Sequence, residues 1–481
     1  MLVFIGSSIS AGYPIRYSKL PRLFYYRQEA RTSAKKNGAR VSGEVRCPVS
    51  QASVHIKDRS GHVFEEAVFV RLNNTNQTGA GQAIWRFFFI LAEAGAICVG
   101  TESGFAGIAD CSGFAETEMD RETAGQRAGL VRTQMRDRDI ACLVVSNAEN
   151  VTYLTGFMGH DSWVVIVGRK VALVTDSRYT EQARGECAGC RIVERKGPIT
   201  KAVADIIGRH ESITMVAVED SMTVGVLNSL KKALKMRVKP VGGIVEEVRR
   251  GKSAAEVRLI SRAARLGWEV LDAALRQLRA GITESEAAGI LEFEMRKRGV
   301  GPGFETIMAF GPNGSRNHHQ PGRRKLRKRD TILVDFGVKV GGYCSDVTRC
   351  FAFGGCSRRY REVYEGVAAA QKTAISVVKA GVKLAEVDAA AKKELERRGL
   401  PIYGHGTGHG IGLAVHEGPF MAKRAKGELR EGDVITVEPG VYIPGSFGVR
   451  IEDDVLVLKN GCRVISEDRK YGFFGEKLRV F

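Results

Sequence analysis

The 481-residue sequence lacks an uninterrupted apolar run long enough to span a bilayer. The nearest stretch, AIWRFFFILAEAGAICVG at 83–100, is broken by Arg86 and Glu93. It reads as a buried helix or a non-native segment, and no membrane partner is expected. The sequence also lacks a second CxxC beside Cys187 and Cys190, and its ten cysteines are scattered. That excludes the disulfide framework of a short secreted chain. The lone pair reads as an exposed helix-to-strand turn, and reduced thiols in a cytoplasmic protein fit all ten. Acids are scarce: 54 Asp and Glu face 73 Lys and Arg, a net charge of +19. Such a field attracts anions without selecting one, so no specific nucleic-acid partner is expected.

What is present suffices for a folded protein of two or three domains, with 44% hydrophobic and 26% charged residues. Residues 1–118 read differently from the rest. Up to residue 40 there are eight Lys or Arg and one acid, Glu29. That balance is transit-peptide-like, yet the first basic residue, Arg16, comes late and no cleavage pattern stands out. No sustained period follows up to 118. We expect a poorly ordered or non-native extension over 1–118, with Met119 as the functional start.

From 119 to 248 short apolar strands alternate with helical patterns. ACLVV (141–145), SWVVIVG (162–168), VALVTD (171–176) and ITMVAVE (213–219) read as strands, the middle two as a hairpin around Arg169 and Lys170. This predicts an α/β domain. From 249 to 470 helices and strands come in blocks, an α+β pattern. Ser253 with Glu256 and Thr283 with Glu286 form two capping-box spacings. The basic run GRRKLRKRD (322–330) lies between two strands and reads as a solvated turn.

Four carboxylates sit inside apolar strands: Asp335 in ILVDFGV, Asp346 in GYCSDVTRCF, Glu438 in VITVEPG and Glu452 in GVRIEDDVLV. A hairpin turning at Gly341 and Gly342 brings Asp335 and Asp346 side by side. On a period of two, Arg450 shares a face with Glu452. Buried acids need a partner or a cation. Arg349 and Arg450 are candidate ion-pair partners. The alternative is a metal site: four carboxylates and one neutral imidazole balance two divalent cations. An oxygen-rich set with one nitrogen suits Mn, Co, Zn or Fe, and hydrolysis is the natural chemistry of such a pair.

The histidine source is YGHGTGHGIG at 403–412. Its spacing mimics a zinc-binding helix, but glycines at 404, 406, 408, 410 and 412 argue against a helix. The alternating glycines also miss the dinucleotide-loop pattern. An extended glycine strand is predicted, with His405 and His409 pointing the same way and the glycines keeping space clear beside them.

FETIMAFGPNGSRNHHQP, ILVDFGVKVGGYCSDVTRCF, YGHGTGHGIGLAVHEGP, VITVEPGVYI and GVRIEDDVLV occur in this order. Together they resemble the pita-bread metallopeptidases of the Xaa-Pro aminopeptidase and prolidase branch. Residues 147–183 and the linking VRRGKSAAEVRLISRAA resemble the same branch. The resemblance implies an α/β creatinase-like domain before an α+β pita-bread catalytic domain, and cleavage of proline-containing peptides by a homodimer with two divalent metal ions, Mn foremost. It implies that Asp335 binds one metal, Asp346 and Glu452 bridge both, and His409 and Glu438 complete the other. Glu438 also takes part in proton transfer. His318 and His416 stabilise the tetrahedral intermediate and handle the leaving group, while His405 and Arg450 line the proline pocket. His319 is a packing residue or a contact. Alternatives within the same fold are a methionine-type aminopeptidase, a creatinase-like hydrolase without metals, and a catalytically dead module that binds peptide or nucleic acid.

Overall fold

The computed structural model describes residues 120–466 continuously; outside them only the backbone of short strands is described. The extension expected over 1–118 lies outside the described residues. The chain divides into two units, 1–116 and 117–481, and the second is described below.

The first layer is a six-stranded mixed sheet. Its strand order is Arg191–Glu194, Lys170–Thr175, Trp163–Val167, Cys142–Val145, Met215–Glu219, Arg237–Val241. The predicted hairpin is there, with Trp163 opposite Val174 and Val167 opposite Lys170. Leu143, Val164, Ile166, Leu173 and Ala217 turn to one core; Cys142, Val144, Val165, Val174 and Val216 turn to another. Helices cover both faces, which explains why these strands read as continuous apolar runs. Cys187 and Cys190 lie at the predicted helix-to-strand turn, but half-buried against the core and not exposed.

The short helix Val245–Arg250 leads into the second layer. Helices Ala254–Leu275 and Glu284–Lys297 start at the two expected capping boxes, each with both reciprocal hydrogen bonds. These helices pack on one face of a sheet in which Ile307–Phe310, Thr331–Phe336 and Val347–Ala352 run antiparallel. Ile332, Val334 and Phe336 point to that helix pair, joining Leu271, Leu291 and Met295. Leu333 points the other way, into a core with Val363, Val367 and Leu395 of helices Arg358–Ser376 and Leu384–Arg397. Strand alternation puts Asp335 on the Leu333 side.

A second sheet runs Glu417–Met421, Gly408–Gly410, Val434–Val437, Asp453–Leu458, Gly461–Val464, and Gly440–Ile443 pairs with Phe447–Arg450 as a hairpin. The basic run forms a turn before Thr331–Phe336, with Arg323, Lys325, Arg327, Lys328 and Arg329 exposed.

Candidate metal centre and active site

The two sheets meet around a cavity of about 510 Å³. His318, Asp335, Asp346, His405, His409, His416, Glu438, Arg450 and Glu452 all line it. Register explains the convergence. Asp335 pairs with Thr348 across the 331–352 hairpin, and Asp346 lies just past the last rung, Phe336 to Val347. Glu438 and Glu452 follow the ends of strands Val434–Val437 and Phe447–Arg450.

One ligand atom each from Asp346, His409 and Glu452 lies within 4.8 Å of the others, and all three side chains are buried. His409 Nε2 stands 3.7 Å from Asp346 Oδ2 and 3.5 Å from Glu438 Oε1. His409 Nδ1 lies 3.0 Å from the Gly410 carbonyl oxygen, so Nδ1 carries the proton and donates to it. Burial pushes the His409 pKa down to about 4, so the ring is neutral at physiological pH. A neutral Nε2 lone pair therefore faces two carboxylates. Oδ1 of Asp335 and Oδ1 of Asp346 have no hydrogen-bond partner. Burial, then neighbouring carboxylates, pushes Asp346 and Glu452 well above the usual carboxylate range, and burial raises Glu438 to about 7. Lone pairs converging without donors are what a divalent cation relieves, and the donor set of carboxylate oxygens with one imidazole nitrogen fits one.

Residues 258–459 match Metallopeptidase family M24, and residues 127–250 match the Creatinase/Prolidase N-terminal domain. An uncharacterized peptidase of Bacillus subtilis, YqhT, is 37% identical over 331 residues, covering 68% of this chain and 94% of that protein. The chain belongs to metallopeptidase family M24. Among solved structures, an Xaa-Pro dipeptidase from Bacillus anthracis aligns with a TM-score of 0.70 at 33% identity, covering 74% of this chain and all of that one. An X-Pro aminopeptidase from Thermotoga maritima aligns with a TM-score of 0.66 at 32% identity, over 73% and 100%. The fold is thus a creatinase-type N-terminal domain followed by a pita-bread catalytic domain.

The M24 site departs from expectation in two respects and meets it in a third. The stretch 403–412 is an extended strand only at Gly408–Gly410. Its glycines serve backbone approach: a Cβ on Gly408 would lie 2.0 Å from the Thr436 carbonyl oxygen, and one on Gly410 2.2 Å from that of Gly418. As expected of a candidate ion-pair partner, Arg450 pairs with Asp335 at the cavity wall, Nη2 to Oδ2 at 2.6 Å. Last, Arg349 pairs with Asp453 and not with one of the four strand acids.

Several partners were not singled out from sequence. Thr348 Oγ1 donates to Glu452 Oε2 at 2.5 Å and accepts from Arg450 Nε at 3.0 Å. Tyr442 accepts from Arg450 Nη1 at 2.9 Å and donates to His405 Nε2 at 3.1 Å. The direction follows from His405 Nδ1, which donates to the Gly406 carbonyl at 2.7 Å. Burial lowers the His405 pKa to about 4, which keeps the ring neutral. His416 packs its ring edge-on to His409, centroids 4.4 Å apart. His319 is buried and bonded at 2.9 Å to Glu284, so it packs and braces. Threonines and a tyrosine in apolar strands carry no sequence signal; only their position across the sheet marks them.

Proposed function

We propose that this metallopeptidase hydrolyses the Xaa-Pro bond at the amino terminus of proline-containing peptides, using two divalent metal ions. The observation that carries the reading is the buried convergence of Asp346, His409 and Glu452 in a cavity shared with eight further titratable side chains. Asp335 would hold one ion, Asp346 and Glu452 both, and His409 and Glu438 the other. When bound, the ions supply Lewis acidity and a water acidic enough to ionise near neutral pH.

This chain's residues do the rest. Glu438, beside the water that the ions would hold, takes part in proton transfer. His318 and His416, exposed at the rim of the cavity, face a carbonyl oxygen as charge develops on it and the leaving proline nitrogen as it takes a proton. His405 and Arg450, joined through Tyr442, form the wall for the proline ring and its carbonyl. Manganese as the ion, a homodimer and a cytoplasmic location belong to the same reading, as does a domain division of 119–248 and 249–470.

The test is a substrate panel with added Mn or Co: an Xaa-Pro dipeptide, an Xaa-Pro-Yaa tripeptide and a Met-Ala-Xaa peptide, with Asp346→Asn as control. Cleavage before proline, absent in the control, is expected. Cleavage only after Met would replace this reading with a methionine-type one. Binding without turnover would point to an inactive module.

A further inference from the structure

The loop that carries His416 is held from behind by buried charge. Glu417, the next residue, lies between two cations of the linking segment. Arg249 donates from Nη2 to Glu417 Oε2 at 2.5 Å, and Lys252 donates from Nζ to Oε1 at 2.7 Å. The side chains are 6%, 1% and 11% exposed for Arg249, Lys252 and Glu417. The same carboxylate accepts from the Ala414 backbone N–H at 3.4 Å and fills the space above Gly412, where a Cβ would lie 2.6 Å from Oε1. The 412–417 loop thus curls around a carboxylate pinned from its other side.

The chain of contacts continues into the amino-terminal layer. Arg249 Nη1 donates to Asn150 Oδ1 at 2.6 Å, and Asn150 Nδ2 donates to Glu219 and Glu246, each at 2.6 Å. Arg249, Lys252 and Glu417 do not line the cavity that holds the convergent carboxylates. A buried ion pair is weak evidence for stability, because desolvation offsets the attraction. What such a network does supply is a single geometry for the loop it holds.

We propose that Arg249 and Lys252 are positioning residues for His416: through Glu417 they set the loop that presents its imidazole to the cavity. The inference rests on the role proposed above for His416. The convergent carboxylates and the His405–Tyr442–Arg450 wall come from other segments, so substrate binding is spared, while His409 on the adjoining strand Gly408–Gly410, whose Gly410 pairs with Glu417, makes metal content the control. A catalytic group displaced by an ångström loses rate on the order of 10²-fold.

The test is a mutant cycle in the full-length protein, reading kcat and KM on an Xaa-Pro dipeptide and bound metal by elemental analysis. Arg249→Met is expected to lower kcat about 10- to 100-fold while KM stays within about two-fold. Arg249→Lys, which keeps the charge, recovers part of the loss. In a His416→Ala background the same Arg249→Met change is expected to cost less than about two-fold, because the two act through one group. Equal losses in both backgrounds, or no loss in either, would overturn the inference. Should Arg249→Met not accumulate as folded protein, Arg249→Lys and Lys252→Met carry the same cycle. A His416→Ala protein with full kcat would sink the role of His416 first, which separates that failure from this one.

Discussion

Arg450 places Nη2 2.6 Å from Asp335 Oδ2, with 5% and 11% of the two side chains exposed. Asp335 thus has a charge partner on one oxygen, while its other oxygen is unpartnered. Replacing Arg450 by Met leaves that carboxylate buried alone, which costs about 3–5 kcal/mol in the metal-free protein. Added metal neutralises the same group. The expected outcome is a melting temperature that falls in Arg450→Met and is largely recovered with Mn. Equal drops with and without metal would argue that Asp335 does not contact an ion.

Asp346 is buried, and its Oδ1 lacks a partner. Asp346→Asn keeps the shape and removes the charge. Activity is expected to fall about 10³-fold or more, with bound metal reduced, since each tenfold corresponds to about 1.4 kcal/mol of the several that a Lewis acid supplies. Metal content measured beside kcat checks both parts; full metal occupancy with full activity would remove Asp346 from the ligand set.

The pH dependence of the metal-free protein follows from Glu438, raised by burial from 4.5 to about 7. Between those values the folded state holds a proton that the unfolded chain has released. Stability from this group is therefore full below about pH 4.5 and is lost as pH rises to about 7, on the order of 3 kcal/mol. Metal binding requires the ionised form, so the melting-temperature gain on adding metal grows over the same window. A gain that shrinks between pH 5 and 7 would contradict this.

Tyr442 links Arg450 to His405 through one hydroxyl. Tyr442→Phe removes both hydrogen bonds and leaves the ring. A loss of about 1–3 kcal/mol, or roughly 5- to 150-fold in kcat/KM, is expected for Xaa-Pro substrates, with folding intact. Unchanged kinetics would separate His405 from the substrate wall.

Two glycines of one motif make a paired test. A Cβ at Gly408 meets the Thr436 carbonyl oxygen at 2.0 Å, whereas at Gly404 nothing lies within 4 Å. Gly408→Ala is expected to destabilise by about 3 kcal/mol or more and to disturb His409, while Gly404→Ala stays within about 0.5 kcal/mol. Chemical denaturation of both variants decides it.

The sequence by itself determined a great deal here. Apolar strands ending on or interrupted by Asp335, Asp346, Glu438 and Glu452 marked acids that burial makes costly, and five ordered motifs pointed to the family. The two capping boxes placed the starts of helices Ala254–Leu275 and Glu284–Lys297, because a cap is a local contact three residues long. Period-two alternation put Arg450 and Glu452 together, as observed.

Only the tertiary structure decided who faces whom. Periodicity tells which face of a strand a side chain takes and nothing about the element opposite. Asp335 and Arg450 are 115 positions apart, and Arg249 and Glu417 are 168 apart. The choice of Asp453 for Arg349 and of Asp335 for Arg450 rests on sheet register across such gaps. So does the meaning of YGHGTGHGIG: its alternating glycines are required because the Val434–Val437 and Glu417–Met421 strands run against its backbone, and those neighbours are set by packing, not by the motif.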